Sequence, residues 1–433
     1  MSDNRLINHS QGERMIDALE RVANAMETTE GGIIYGYHID GSESDPSAKV
    51  TYLKDAVGMT PAHMNYISGV FDFGSFEDAF FMPRPCMLKS NGTVDYYLNP
   101  NDYSKRENGT ASDIANTSYG GNAMMEWGQG GKKIWIKRVP SNDGKSVSVF
   151  IADHKVDEGF HDYSFHNANG QSVAHFYTAI YNGSLISDKV RSLSGQAVMK
   201  SQTAANEVTY AQANGATMWD IEKKADIDLI NSLLILMGKS TDTQAVFGEG
   251  LHTGGSEAIN NNFRTGVHNT KGLFYGTNSG AISDGSYGNA VKVFGMENWW
   301  GFQWRRYLGH IMANGVQKEK LTYGKEDGSG VVGFNLTGDN YISVGATPEG
   351  SSGGYISEMH FTEGGDFPKV ASGSSATHYC DGLWFNNGLV AVPLRGGCST
   401  DGAHVGALCV GLYATASFAV WHVGASLSCK PLA

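Results

Sequence analysis

With 433 residues, a formal net charge of -12 and 18% charged side chains against 41% hydrophobic ones, the sequence excludes a largely disordered chain. The negative charge, uninterrupted by any large Lys/Arg cluster, argues against nucleic acid or anionic lipid as a partner. Length predicts roughly two or three domains, and 56 glycines set among Asn, Ser and Thr predict short strands joined by many turns.

The chain starts with a polar stretch that lacks the basic-then-apolar order of a secretory signal, and no apolar run approaches about 18 residues. Synthesis as a soluble protein is expected, without membrane insertion. Cys86, Cys380, Cys398, Cys409 and Cys429 are scattered and odd in number, which favours a reducing compartment of synthesis over a disulfide framework.

Met15, Leu19, Val22 and Met26 form a short seam at helical spacing, so residues 1–31 are expected to be a helix, either for attachment or oligomerisation or as an ordinary amphipathic helix on its own core. Alternating runs from Ile33 to Ile39, Val50 to Leu53 and Val94 to Leu98 then predict a small β-rich domain over 32–115, with a polar linker between Asp102 and Gly121. Residues 116–433 make the remaining unit. It opens with strand-like Lys133 to Lys137 and Val147 to Ile151. Its best helical pattern is Met218 to Met237, where Ile227, Ile230, Leu233 and Leu234 share a wide apolar face and Gly238 is placed to stop the helix. Aromatic and glycine-rich strands follow, including Gly295 to Trp304, Val331 to Leu336, Tyr341 to Val344 and Gly382 to Phe385.

Several segments together carry a resemblance: His175 to Tyr181 (HFYTAIY), Val190 to Gly195 (VRSLSG), Tyr210 to Gly215 (YAQANG), Asn269 to Gly276 (NTKGLFYG) and Glu297 to Gly301 (ENWWG). With Asp55 to Met59 and Tyr97 to Asp102, they resemble a family of bacteriophage tail-tip and fibre proteins over most of the chain from about residue 33. Leu394 to Gly397 (LRGG), Val405 to Leu408 (VGAL) and Trp421 to Cys429 (WHVGASLSC) resemble the end of C-type-lectin-like domains. Such domains are shared by formylglycine-generating enzymes and by the variable proteins of diversity-generating retroelements. Where many members close with Gly-Phe-Arg, this chain has Gly424, Ala425 and Ser426. The resemblance implies an α+β fold: a β-rich N-terminal domain followed by a C-type-lectin-like domain of short strands with one or two core helices.

In the retroelement family, error-prone reverse transcription turns AAY codons into NNY, which never specify Trp, Lys, Glu, Gln or Met. The resemblance places the variable ligand-binding region at about 395–429. Its candidate ligand-binding positions are Cys398, Thr400, Asp401, Ala403, His404, Cys409, Gly411, Tyr413, Ala414, Phe418, Val420 and His422, all of types that NNY encodes. The frame around them includes Gly396, Gly397, Gly402, Gly406, Leu408, Val410, Leu412, Ser417, Trp421, Gly424 and Leu427. From Leu408 to Tyr413 the even positions are uniformly apolar, so one strand face is expected to pack while the odd positions face the ligand. Tyr413, Phe418, His404 and His422 should be the strongest contacts, and loss of the Tyr413 and Phe418 rings should weaken attachment with little change in melting temperature.

Other chemistry has weaker support. Asp153, His154, Asp157, Glu158, His161, Asp162 and His166 match no metal-binding spacing and read as a solvated loop. The glycines around Glu249 and Thr253 lack the Lys-Ser/Thr that phosphate binding requires. Trp299, Trp300, Trp304 and Tyr307 read as core rather than as a sugar-stacking platform, with Arg305 and Arg306 at its edge.

The expected protein is therefore a phage tail-associated adhesin, not an enzyme, with no cofactor and no metal. Its expected partners are a bacterial cell-surface receptor, protein or glycan, and other phage tail proteins. It is expected as a homo-oligomer on the virion, at the tail or tail-fibre tip, after synthesis in the bacterial host cytoplasm. The rival readings are a formylglycine-generating-type oxidoreductase using Cys398, Cys409 or Cys429, and a purely structural tail component.

Overall fold

The computed structural model describes residues 31–255, 263–282, 287–324 and 330–432. The helix expected over residues 1–31, with its Met15 to Met26 seam, lies outside the described residues.

The chain is mostly β, with 33% of residues in strands and 11% in helices, and this overturns the α+β expectation. The reason is local. Many strands are only two to four residues long, such as Leu394–Arg395 and Val423–Gly424, and so show no periodicity of their own. They exist because neighbours in the sheet complete their hydrogen bonding. Helical structure is confined among the described residues to Ala204–Gln212, Lys224–Gly238, Thr243–Phe247 and single 3-10 turns.

Four of the sheets carry the architecture. In the first, the strand Ile34–Ile39 is antiparallel to both Val50–Lys54 and Val147–Ala152, and Trp135–Pro140 closes the order. A seven-stranded sheet runs Trp219–Ile221, Leu427–Cys429, Phe176–Ala179, Gly121–Trp127, Arg84–Lys89, Val94–Asn99 and Asp102–Arg106. Strands from either side of residue 115 thus pair within both of these sheets. An eight-stranded sheet holds the C-terminal segment: Val410–Leu412 is an interior strand, parallel to Gly382–Phe385 and antiparallel to Leu394–Arg395. A further four-stranded sheet runs from Ile342–Ser343 to Val390–Ala391.

At the centre lies the helix Lys224–Gly238, in which every residue from Lys224 to Met237 is buried. A helix enclosed on all sides must give each polar group a partner. Lys224 Nζ donates to Asp228 Oδ2 at 2.6 Å and to the Asp366 carbonyl at 2.9 Å. Lys430 Nζ donates to Asp226 Oδ1 at 2.8 Å, and Asn231 Nδ2 to the Ala407 carbonyl at 2.7 Å. Ser232 Oγ donates to the Asp228 carbonyl and accepts from Arg138, which itself pairs with Asp366.

This helix begins six residues later than the Met218 start expected from its pattern. Trp219 and Ile221 are apolar at a spacing of two, and they extend to pair with Cys429 and Leu427 while the Trp219 indole N–H donates to the Ser90 carbonyl. At the other end Gly238 stays helical, and Lys239, at φ 48°, makes the left-handed exit expected of the glycine. The run Val331 to Leu336 forms no strand. No helix among the described residues is long and apolar enough to cross a membrane.

Candidate functional site

The candidate region leaves the strand Leu394–Arg395 through Gly396 and Gly397, whose φ values of 84° and 76° belong to the left-handed region. A β-carbon on Gly397 would stand 2.7 Å from Val405 Cγ1, so the reversal needs glycine. A tight turn follows, in which the Cys398 N–H donates to Asp401 Oδ2 at 2.7 Å and the Asp401 N–H to the Cys398 carbonyl at 3.1 Å. After the 3-10 turn Gly402–His404 the chain sinks into the core. The Leu408 N–H donates to Asp381 Oδ2 at 2.7 Å, and the interior strand Val410–Leu412 begins.

Beyond Tyr413 the chain loops out and is pinned from behind by Arg306. Its Nη2 donates to the Phe418 carbonyl at 2.7 Å, while its Nε pairs at 2.7 Å with Glu207, both side chains being wholly buried. The Ala204 and Ser201 N–H groups donate to the Ala416 and Val420 carbonyls.

These constraints sort the candidate positions. Thr400 and Ala403 are exposed, and Asp401, His404, Tyr413, Phe418, Val420 and His422 are half-buried. Cys398, Cys409, Gly411 and Ala414 are buried and offer no side-chain surface to a ligand. The expected alternation fails because Val410–Leu412 is interior, flanked by a strand on each side and covered on both faces. Leu412 is buried, Val410 only half-buried, and the Tyr413 ring folds back so that a β-carbon on Gly411 would lie 2.8 Å from its Cε1.

The half-buried rings fall into two groups, Tyr355, His404 and Trp384 on one side and Tyr413, Phe418, His422 and Trp421 on the other, joined through buried Trp304. Tyr355 stacks on His404 with centroids 4.0 Å apart and planes 14° apart, and His404 meets Trp384 at 5.4 Å. Trp384 stands edge-on to buried Trp304 at 5.3 Å, which meets Tyr413 at 6.4 Å. From Tyr413 the contacts continue to Phe418 at 5.7 Å, to His422 at 6.4 Å and to Trp421 at 4.8 Å. Such edge and offset contacts are the favoured aromatic geometries. Tyr355 and Trp384 come from the strands Gly354–Phe361 and Gly382–Phe385, outside the segment singled out from sequence. Trp384 had stood out only as part of an aromatic strand, and no local signal marked Tyr355.

Asp401 is the acid of this surface. Burial pushes its carboxyl up, opposed by the Cys398 N–H and by the nearby imidazoles of His422 and His404. His404 is itself oriented by its Nδ1, which donates to the Asp401 carbonyl at 2.9 Å.

The other sequence candidates fall elsewhere. Asp153 pairs with Lys132 and His154, Asp157 with Lys137, and Asp162 with Lys133 and His166, so these carboxylates are spread over separate ion pairs. Among the described residues no three His, Cys, Asp or Glu side chains converge as a metal site would require. Trp299, Trp300 and Trp304 are core, and Arg305 and Arg306 lie inside it, not at its edge, because Glu222 and Glu207 supply buried counter-charges. A cleft of about 760 Å³ opens among Tyr163, Thr322, Tyr341 and Glu363, and none of the twelve candidate positions lines it.

All five cysteines are free and buried. Burial pushes the thiols of Cys398 and Cys409 up, with the Asp401 and Asp381 carboxylates adding to the shift. Iodoacetamide at neutral pH should therefore leave the native protein unmodified and label it after denaturation. Mass spectrometry reads the outcome, and rapid native labelling of Cys398 would contradict this burial.

No family model matches the chain, and no curated protein matches it.

Proposed function

We propose that this chain is a receptor-binding protein of a bacteriophage tail, an adhesin whose C-terminal segment presents a ligand surface diversified by a retroelement. The observation that carries the reading is the row of half-exposed rings from Tyr355 to Trp421, bridged at its middle by buried Trp304, to which the segment resembling variable proteins contributes His404, Tyr413, Phe418 and His422. Large, stiff rings bury much area at small entropic cost, as binding surfaces require. The glycines and Leu412 of the same segment are fixed in the turn and core, which separates the scaffold from the recognising side chains. Several copies on one virion would multiply weak contacts by avidity.

Attachment tests the reading. The purified chain is offered to a panel of bacterial cells, and retention is compared with that of Tyr413→Ala and Phe418→Ala. Each truncation should weaken retention by about 2 kcal/mol, roughly 30-fold. Because both rings also pack against the cluster of Trp304, Leu394 and Val423, each should cost about 1–2 kcal/mol of stability. Retention is therefore compared well below the melting transition, which replaces the expectation of an unchanged melting temperature. Equal retention of wild type and both variants, or none by any cell, would overturn the proposal. A near-repeat of the coding segment, differing only opposite adenines, would support the diversified surface.

A further inference from the structure

The buried carboxylates of this protein are generally matched by cations: Glu207 by Arg306, Glu222 by Arg395, Asp226 by Lys430 and Asp228 by Lys224. Among the described residues Asp381 and Asp401 depart from that pattern; Asp381 is wholly buried, whereas Asp401 is half-buried and within reach of solvent near the ring surface. Its Oδ2 accepts the Cys398 N–H at 2.7 Å, and the Cys398 thiol is its other close contact. Neither brings a positive charge, and among the described residues no Lys or Arg pairs with it. Around it stand Tyr413, His404 and His422, each near enough for its charge to act on the carboxylate.

A half-buried carboxylate within electrostatic reach of Tyr413, His404 and His422 is a favourable place for a cation. Coulomb attraction is strengthened where water is partly excluded, and ring faces attract positive charge. We infer that the ring surface takes a lysine side chain of a protein partner, with Asp401 as the counter-ion of its ammonium group.

Two observations select lysine. One oxygen of Asp401 already accepts the Cys398 N–H, so an ammonium can be met by the other oxygen alone, whereas the fork of a guanidinium would have to share Oδ2 with that bond. The ring row also lies outside the four clefts lined by Tyr341, Ser164, Asn231 and Phe71 among the described residues, whereas small-molecule and sugar-sized ligands are held in concave sites. A shallow row of rings suits the stem of a lysine, which lies along apolar surface while its head reaches the charge. The chain's net charge of -12 favours approach of a basic partner.

The inference rests on the receptor-binding reading of this surface, and its test separates the two. Nα-acetyl-lysine methylamide, its Nε-acetylated form and glucosamine are titrated into the full chain, with saturation-transfer NMR as the readout. The lysine amide should bind, and its Nε-acetylated form should bind at least about tenfold more weakly. Asp401→Asn, which keeps an oxygen for the Cys398 N–H, should weaken the lysine amide by a similar factor. Glucosamine should not compete.

Equal binding of the acetylated probe, an unaffected Asp401→Asn, binding of glucosamine alone, or no binding of the lysine amide would each overturn the inference. The comparison of the two lysine probes on wild type needs no variant to fold. If Tyr413→Ala loses cell retention while the lysine probes fail, the lysine inference falls and the adhesin reading stands. If retention itself is absent or indifferent to the rings, the adhesin reading falls.

Discussion

Replacing Glu222 with Gln should destabilise the protein by about 3–5 kcal/mol, because it leaves two buried guanidinium groups without their shared counter-ion. Glu222 sits between the strand Trp219–Ile221 and the central helix, and only 4% of its side chain is exposed. Arg395 Nε donates to its Oε2 at 2.9 Å and Arg395 Nη2 to its Oε1 at 2.6 Å, while Arg305 approaches at 3.5 Å. Both arginines also donate to the Trp299 carbonyl, at 2.8 and 2.6 Å.

Burial alone would raise the Glu222 carboxyl, but the charges of Arg305 and Arg395 outweigh it and hold the group below its ordinary range. A carboxyl depressed in the folded state contributes stability above the pH at which it protonates when unfolded, and that contribution is lost as pH falls through the folded value. Urea denaturation as a function of pH should therefore show wild type losing stability on acidification below the ordinary glutamate range. Glu222→Gln should lack this component. A loss of less than about 1 kcal/mol at neutral pH would mean the arginines are solvated or re-paired.

The second large effect is expected at Trp299. Its indole N–H donates to Asn231 Oδ1 at 2.9 Å, and the Arg395 guanidinium lies over its ring at 3.6 Å. Trp299→Ala should cost about 3–5 kcal/mol through the cavity and the orphaned amide oxygen on the central helix. Because the ring and Glu222 hold the same arginine, the double variant should deviate from additivity by more than about 0.5 kcal/mol. Additive losses in denaturation would show that the two contacts act independently.

Elements with enough length to display a period were legible in the sequence. The apolar face of Ile227, Ile230, Leu233 and Leu234 marked the central helix, and Val147 to Ile151 marked a strand now found in an interior position. What escaped depended on partners far along the chain. Arg306 was expected only at the edge of the aromatic core and Arg395 only as the start of the variable region, and their carboxylates lie 99 and 173 residues away. The alternation in Leu408 to Tyr413 showed which residues point together but not whether a strand flanks each side, and an interior position buried Cys409 and Gly411. Tyr355 and Trp384 reach the ring surface through sheet pairing between Gly354–Phe361, Gly382–Phe385 and Val410–Leu412, a relation without a local signature. The α+β expectation, drawn from the resemblance, failed because much of the β structure is in strands of two to four residues, too short to show a period in the sequence.

The strand Leu427–Cys429 lies between Trp219–Ile221 and Phe176–Ala179 in the seven-stranded sheet. During synthesis, both neighbours emerge from the ribosome some two hundred residues before it, and until it arrives each presents an unpaired backbone edge to other nascent chains. A product cut short or frameshifted within 398–422 never acquires this strand and keeps those edges open. Closure of the seven-stranded sheet therefore waits on the last of its seven strands to be made, and only a polypeptide read through to Cys429 can complete it.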